Sequence, residues 1–442
     1  MPLKHLISRP TAPLAGALAL ALAGWSCGGS AGTSSYANPI TTTKTSSAII
    51  DAATLGQWTD EGKVNAPLGT ADRVVVVSVA TLASFTSTTK KHIPDAVLLD
   101  SASELYLTRE EGLGPNGSMI LGGPQMDALV KKLGIDGSTT IVLTIPRGST
   151  DSDHYNQSVA YWTFRYWGFT RDRMKILNGG DDAWDFAGRP MTDALLVPTA
   201  SSWSIVENKV LRDQLHGSVG ETIDLVDAVN RDRSLLNTWQ LLDVRGFATS
   251  PYLANTYRGS SGMQFLTDRV NGEATRNRFY PDQSTLIARM SSAPVLDGTV
   301  NAFLSPSKKM FVMCGASVSA SPTFVLFDAV LAVPEGNVVM YDGSSGQWNQ
   351  YSVGKIKGAG ATAGQANTWA FDATTPGTSA RRSVGTLPAA VPGENPFVSG
   401  NFVYSPSQAE MNQIEAADKA YMAKTSGAGS TDGGGGSTGG GC

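Results

Sequence analysis

The sequence predicts an α/β protein in which parallel sheets are flanked by helices, because strand-like and helix-like segments alternate along the chain. Val74–Val79 is a continuous apolar run of the kind found in buried parallel strands. Met126–Leu133 has helical apolar spacing and is followed by a glycine, and Thr140–Ile145 is again strand-like. The length of 442 residues accommodates two such units and additional terminal segments.

The second half of the chain repeats this alternation. Strand-like runs occur near Gln240–Val244, Lys309–Met313 and Val338–Tyr341, and a helix-like segment, Pro322–Val333, lies between the last two. In the first half, Ser158–Trp167 is an aromatic-rich helical segment whose rings we expect to pack against a sheet. Parallel sheets bind ligands at the carboxyl ends of their strands, so the loops that follow these strands are the candidate sites.

Cys314 directly follows the strand-like run Lys309–Met313, and small residues separate it from the helix that begins near Pro322. A strand–loop–helix turn points backbone N–H groups inward and adds the positive end of a helix, and both stabilise a thiolate. The other two cysteines, Cys27 and Cys442, lie in Gly/Ser-rich terminal stretches. Because free cysteines are commonly buried as small hydrophobic residues, a packing role is the alternative to a nucleophile.

Three segments of the second half resemble the rhodanese superfamily, in particular its mercaptopyruvate sulfurtransferases. Residues 314–320, Cys-Gly-Ala-Ser-Val-Ser-Ala, are similar to the family's loop Cys-Gly-Ser-Gly-Val-Thr-Ala. Residues 338–348 resemble its Val-x-Leu-Tyr-Asp-Gly-Ser-x-x-x-Trp segment, and residues 241–245 resemble a strand that ends in Asp-x-Arg. The resemblance implies two tandem rhodanese-like domains, each a parallel sheet flanked by helices, over about residues 65–355.

The first half carries a second copy of the pattern. Residues 91–97, Lys-His-Ile-Pro-Asp-Ala-Val, are similar to the family's Gly-His-Ile-Pro-Gly-Ala-Val, in which we expect His92 to be structural. Residues 177–184 resemble its Leu-x-Gly-Gly-x-x-x-Trp element. No thiol follows Thr140–Ile145, where the counterpart of Cys314 is expected, and the family's first domains typically lack it. The nearby Arg147, Asp153 and His154 either face the cleft between the domains or lie in a solvated loop. The sequence leaves the choice between these two roles open.

The resemblance also implies a mechanism. Cys314 is expected to take a sulfane sulfur from a small anionic donor, thiosulfate or 3-mercaptopyruvate, and to pass it from a persulfide to a thiol or cyanide acceptor. Arg245 matches the Asp-x-Arg arginine, Arg258 resembles a second substrate-binding arginine beyond an insertion, and Arg269 is a third candidate by position. A pairing of Arg245 with Asp243 is the structural alternative. The loop residues expected to cradle the persulfide are Gly315, Ala316, Ser317, Val318, Ser319 and Ala320.

Spacing and composition argue against several other classes. Cysteine phosphatases carry an arginine six residues after the cysteine, where this chain has Ala320. The four histidines and three cysteines lack metal-ligand spacing, and no cofactor is implied. A formal net charge of -4 gives no indication of nucleic-acid binding.

The N-terminus predicts export. A basic start precedes Leu14–Trp25, an apolar run of signal-peptide length that is short for a membrane span. Cys27 and a Gly/Ser-rich linker follow, as in bacterial lipoproteins, so we expect lipidation of Cys27, with plain secretion as the alternative. The expected location is the periplasm or the outer membrane, held by a lipid anchor.

The predicted organisation comprises a signal peptide, a linker, two rhodanese-like domains, an extension and a tail. Their limits are 1–27 for the lipoprotein-like signal peptide, 28–64 for the linker and N-terminal segment, 65–200 for the domain without a catalytic cysteine, 201–357 for the domain with Cys314, 358–424 for the C-terminal extension and 425–442 for a disordered Gly/Ser-rich tail. Cys442 in that tail is either unimportant, a disulfide partner or a sulfur shuttle.

The extension carries a helix-like run that ends at Met422 and docks either on the domains or on an envelope protein partner. A second function therefore stays open. It is a non-catalytic or weakly active envelope lipoprotein that binds sulfur or selenium oxyanions, or a component of an outer-membrane redox or channel complex.

Overall fold

The computed structural model describes residues 48–112, 114–245, 256–258, 262–293, 295–297, 300–352 and 408–424. Its strands are β1 Ile49–Ile50, β2 Val74–Ala80, β3 Val97–Asp100, β4 Leu107–Glu111, β5 Gly114–Met119, β6 Thr140–Thr144, β7 Met174–Leu177, β8 Trp239–Asp243, β9 Thr256–Arg258, β10 Val295–Asp297, β11 Val300–Ala302, β12 Lys309–Met313 and β13 Val338–Met340. Its α-helices are α1 Ala52–Asp60, α2 Leu82–Phe85, α3 Gly123–Lys132, α4 Asp151–Tyr166, α5 Gly180–Phe186, α6 Val219–Arg231, α7 Gln283–Ser292, α8 Ser321–Val325, α9 Ser344–Ser352, α10 Gln408–Met411 and α11 Gln413–Met422.

Two separate parallel sheets confirm the predicted fold class. The first sheet has the order β1-β7-β6-β2-β3 with every pair parallel. In the second sheet β9, β8, β12 and β13 are parallel, and β10 and β11 add an antiparallel edge. His216 forms a parallel bridge with Met340 and therefore lies beside β13. In the first sheet, β1 lies beside β7 in the corresponding position. The two sheets therefore share one order, as an internal repeat requires.

The predicted strands agree with the structure to about one residue at each end for β2, β6, β8, β12 and β13. These strands are apolar and buried on both faces, so their apolar runs mark them clearly. The predicted helix at Ser158–Trp167 begins earlier, at Asp151, because Thr150 and Asp153 form a capping box. The predicted helix at Pro322–Val333 changes into a π-helical turn at Leu326–Val330.

The two sheets share a hydrophobic core. One continuous cluster of buried side chains extends from Val75 and Val77 of the first sheet to Met310 and Val312 of the second. The aromatic residues of the segment Ser158–Trp167, among them Trp162, lie fully buried within this cluster, as expected for packing rather than for a stacking platform.

Segments outside the two predicted domains also take part in the fold. The region 28–64, predicted as a linker and N-terminal segment, contributes β1 and α1, and the extension contributes α10 and α11. The hairpin β4–β5, which the sequence did not indicate, projects from the first half toward the second sheet. Among the described residues, no helix combines the length and apolarity needed to cross a membrane.

Candidate functional site

Cys314 lies at the carboxyl end of β12, a central strand of the second sheet, where ligand sites of parallel sheets occur. Its exposed fraction is 1%, and it belongs to the shared hydrophobic cluster together with Val244. The Val244 N–H donates to the carbonyl of Met313 at 3.0 Å, which extends the pairing of β8 and β12 up to the cysteine. The sheet therefore fixes the backbone on one side of Cys314.

The loop after Cys314 is tightly folded. Ser317 has a φ of 66° and a ψ of -36°, and the Val318 N–H donates to the Ala316 carbonyl at 2.8 Å, which closes a γ-turn. Within the part of the chain that the structure describes, the N–H groups of Gly315 and Ala316 have no acceptor. A Cβ atom added at Gly315 would meet no atom within 4 Å, so the loop is open on that side.

Ser344 holds this loop in place. Its Oγ accepts hydrogen bonds from the N–H groups of Cys314 and Ser317, both at 3.2 Å, and donates to the Tyr341 carbonyl at 2.7 Å. The Ser345 N–H donates to the Cys314 carbonyl at 3.0 Å. The Tyr-Asp-Gly-Ser segment recognised in the sequence thus supports the cysteine loop, although its role as the loop's support was not predicted.

The first half of the chain covers the same loop. The Ser317 hydroxyl donates to the carbonyl of Ser118 in β5 at 2.8 Å. Tyr106, just before β4, donates its hydroxyl to Asn156 Oδ1 at 2.7 Å. Burial raises the pKa of Tyr106, and Cys314 contributes in the same direction, so this phenol lies within electrostatic range of the Cys314 side chain. The candidate site is therefore built at the junction of both halves.

The three arginines predicted as donor-binding residues, Arg245, Arg258 and Arg269, have different surroundings in the structure. Arg245 binds its neighbour Asp243, with Nε 2.9 Å from Oδ1, which is the structural alternative considered for it. Arg258 is paired with Asp243 across β8 and β9, and its side chain lies outside the described set. Arg269 donates to the Arg276 carbonyl at 2.6 Å. Arg245 is thus tied to Asp243, and Arg269 to the Arg276 carbonyl.

His216, Asp342 and Glu415 form a buried charged triad that the sequence did not reveal. His216 Nε2 lies 2.9 Å from Asp342 Oδ1, and its Nδ1 lies 3.0 Å from Glu415 Oε1. Burial opposes protonation, but the two carboxylates raise the pKa of His216 well above its usual range, so we describe the ring as an imidazolium. Asp342 Oδ2 also accepts the N–H of Ile120 at 3.0 Å. Asp342 therefore contacts both halves of the chain. It lies two residues before Ser344, which holds the Cys314 loop.

The first sheet carries an apolar residue in the position of Cys314. The Asp181 N–H donates to the Ile145 carbonyl at 3.0 Å, as the Ser345 N–H does to the Cys314 carbonyl. Ile145 is therefore the structural counterpart of Cys314, whereas the sequence pattern placed that counterpart in the loop after Ile145. The first half thus presents no thiol at this position.

His92 and His154, the described histidines of the first half, are both buried. His92 is buried against Phe85, with ring centroids 3.7 Å apart, and its Nδ1 lies 2.9 Å from the Phe85 carbonyl. This contact agrees with the structural role expected for it. His154 is buried, and burial lowers its pKa to about 3, so the ring is neutral. Its Nε2 accepts the N–H of Arg278 at 3.2 Å.

No group of three or more His, Cys, Asp or Glu side chains among the described residues is arranged to hold a metal ion. Cys27, the signal-peptide region, the Gly/Ser-rich tail and Cys442 lie outside the described residues.

No protein-family model matches the chain, and no curated protein matches it significantly. Similar solved structures include SseA from Escherichia coli, described as a 3-mercaptopyruvate sulfotransferase with the rhodanese fold. It is 17% identical over 67% of this chain and 98% of SseA, with a TM-score of 0.45. Tum1 from Saccharomyces cerevisiae is 17% identical over 68% of this chain and 94% of its own, with a TM-score of 0.45. YnjE is 17% identical over 72% and 69% of the two chains, with a TM-score of 0.46. Similarity at this level defines no activity for this chain.

Proposed function

We propose that this protein is a sulfurtransferase that carries a sulfane sulfur as a persulfide on Cys314. The observation that supports this most strongly is the position of Cys314 at the end of a central parallel strand, in a compact loop with two N–H groups that have no acceptor among the described residues. Backbone N–H groups stabilise a thiolate or a persulfide anion without a positive side chain. The sequence resemblance of residues 314–320 to a sulfurtransferase loop supports the same chemistry.

The reaction comprises two displacements at sulfur. The Cys314 thiolate attacks the outer sulfur of the donor, a bond forms between the two sulfurs, and the bond from that sulfur to the rest of the donor breaks. Thiosulfate thereby releases sulfite, and 3-mercaptopyruvate releases pyruvate after its carbanion takes a proton from solvent. An acceptor such as cyanide or a thiolate then attacks the outer persulfide sulfur and regenerates the Cys314 thiolate.

The geometry restricts how a donor arrives. Cys314 is 1% exposed, so a small donor fits this site better than a protein-sized one. The side of Gly315 is open, which makes it the route of approach in this proposal. Arg258 is the remaining candidate partner of the anionic donor, because its strand lies directly beside Asp243 at the carboxyl end of β8.

The proposal includes export and lipidation at Cys27, with the protein held on a periplasmic or outer-membrane surface. Fatty-acid labelling that depends on Cys27 is its test, and labelling retained in Cys27→Ser would exclude that anchor.

The second candidate, an envelope lipoprotein that binds oxyanions or serves in a redox or channel complex, has its own support. Arg245 is paired with Asp243, and Cys314 is buried in an apolar cluster. Both features reduce the positive charge and the access that turnover of an anionic donor needs. We would favour this binding function if the folded protein shows no sulfurtransferase turnover.

The decisive experiment measures thiocyanate formation from cyanide with thiosulfate or 3-mercaptopyruvate as donor. The chain without residues 1–27 is compared with its Cys314→Ser variant, and Cys442→Ser is the matched control for the remaining thiol. We expect turnover in the parent and in Cys442→Ser, and none in Cys314→Ser. Mass spectrometry of the parent after donor alone should show one added sulfur on the peptide that contains Cys314. Absence of both signals from a folded protein would exclude the proposal.

A further inference from the structure

A cleft that Cys314 does not line lies at the carboxyl end of the first sheet. It has a volume of about 320 Å³, and its lining includes Lys90, Arg147, Asp182, Glu273 and Arg276. Lys90 comes from the connection between β2 and β3, and Arg147 from the loop after β6. Because β2 and β6 are neighbours whose connections run to opposite sides, this is the switch point at which parallel sheets bind ligands.

The acidic groups of the cleft are already saturated by protein donors. Asp182 Oδ2 accepts the N–H groups of Gly148 and Asn277, both at 2.8 Å, and its Oδ1 accepts Nη1 of Arg276 at 2.7 Å. Glu273 accepts Nε of Arg276 at 3.3 Å. The buried Asp182 is therefore a poor site for a cation or for a further donor, and Glu273 is paired with Arg276.

The basic groups, in contrast, have unused N–H donors. Within the described residues, Lys90 forms no ion pair and Nη2 of Arg276 has no acceptor. Arg147 pairs through Nη2 with Asp185 at 3.1 Å, but its Nε is buried without a hydrogen-bond partner and lies 4.0 Å from Asp182 Oδ1. A guanidinium has five N–H donors, so Arg147 keeps hydrogen-bonding capacity beyond its contact with Asp185.

We propose that this cleft binds a small oxyanion, a group that offers several oxygen acceptors and a negative charge. Guanidinium and ammonium donors form charge-assisted hydrogen bonds with sulfate-like anions and with carboxylates alike. The site needs no contribution from Cys314, whose counterpart here is Ile145. It is therefore a binding site additional to the proposed sulfur-transfer site, and its test is independent of turnover.

The test is isothermal titration of the full chain carrying Cys314→Ser, which removes the sulfur-transfer chemistry. Sodium sulfate and sodium acetate are titrated separately, with ionic strength held constant by sodium chloride. We expect saturable binding of one anion per chain, and the comparison of the two salts shows whether a tetrahedral or a carboxylate group is preferred. No saturable heat with either salt, from a folded protein, would overturn the proposal.

Variants then locate the anion. Lys90→Gln should weaken binding at least tenfold, and it should fold normally because Lys90 has no ion pair with any described residue. Lys91→Gln is the matched control, since Lys91 neighbours Lys90 but does not line the cleft. Arg147→Lys retains the charge and removes the forked donors of the guanidinium group, so it should also weaken binding. Equal affinity in Lys90→Gln and Lys91→Gln would show that the anion binds elsewhere.

Discussion

Asp181 is a carboxyl group without exposed surface at the start of α5. One oxygen accepts the Thr144 hydroxyl at 2.6 Å, and the other has no hydrogen-bond partner within the described part of the chain. Burial, helped by the charge of Asp182, raises the pKa of Asp181 to about 8 despite the opposing charge of Arg147. Asp181 is therefore largely protonated at neutral pH, where an exposed aspartate is ionised.

We predict that Asp181 makes the protein less stable as the pH rises from about 4 to about 8. The folded protein holds this proton more tightly than the unfolded chain, so the stabilisation is complete below the unfolded pKa and disappears as the pH approaches the folded pKa. Asp181→Asn should flatten that decline, which amounts to at most about 1.4 kcal/mol per pH unit. Urea unfolding at several pH values measures how the free energy of unfolding declines with pH. Asp172→Asn is the control, because Asp172 is exposed. Identical pH profiles for the two variants would contradict this assignment.

The residues of the candidate site differ in how well a sequence reveals them. Cys314 was identified because it follows an apolar strand and precedes small residues, which are both local signals. His216 was missed because its partners, Asp342 and Glu415, are distant along the chain and become neighbours only after folding. The pairing of Arg245 with Asp243 was considered because the two are two residues apart.

At the level of elements, α11 ties the C-terminal extension to the rest of the molecule. Asp418 on this helix accepts both terminal nitrogens of Arg109, at 2.8 and 2.7 Å, and the hydroxyl of Tyr166 at 3.0 Å. The Asp418 side chain is 2% exposed, whereas Lys419, which pairs with Asp213, is 48% exposed. The helix thus carries a buried and an exposed ion pair on adjacent residues.

We predict that the two pairs contribute very differently to stability. Asp418→Asn leaves the charge of Arg109 buried without its partner, which should lower the free energy of unfolding by about 3–5 kcal/mol. Lys419→Gln breaks an exposed pair and should cost about 0–1 kcal/mol. Urea unfolding gives both values, and amide hydrogen exchange over residues 413–422 should accelerate in Asp418→Asn alone. Similar costs for both variants would show that α11 is not docked as described.

The sequence predicted this helix but not where it docks. A helical run with apolar spacing, ending at Met422, is a local property, and the structure has helices over Gln408–Met411 and Gln413–Met422. An amphipathic face, however, fits many apolar surfaces, so the choice between the domains and a partner required the contacts with Arg109 and Tyr166. The antiparallel edge β10–β11 was missed for a similar reason, since short strands carry little periodic signal.

At the scale of the whole molecule, a buried charge network joins the two halves. Asp328, in the π-helical turn after α8, accepts Nε of Arg165 at 2.9 Å, the hydroxyl of Tyr161 at 2.8 Å and Nη2 of Arg171 at 2.7 Å. Burial raises the pKa of Asp328, but the charges and hydrogen bonds of Arg165 and Arg171 together outweigh burial and hold the pKa below its usual value. Together with the continuous hydrophobic cluster, this network predicts that both sheets unfold as one cooperative unit.

We predict one calorimetric unfolding transition for the parent protein, and a transition at clearly lower temperature for Asp328→Asn. The substitution keeps the shape of the side chain but removes the fully buried charged partner of Arg165 and leaves that arginine only the partly exposed Glu335, a loss of about 3–5 kcal/mol. Glu335→Gln is the control: Glu335 also pairs with Arg165, at 2.8 Å, but its side chain is 32% exposed, so we expect a shift several times smaller. Two well-separated transitions in the parent, neither of them moved by Asp328→Asn, would show that the halves are energetically independent. In that case the loop of Cys314 would depend on the first half only through local contacts such as that between Ser317 and Ser118.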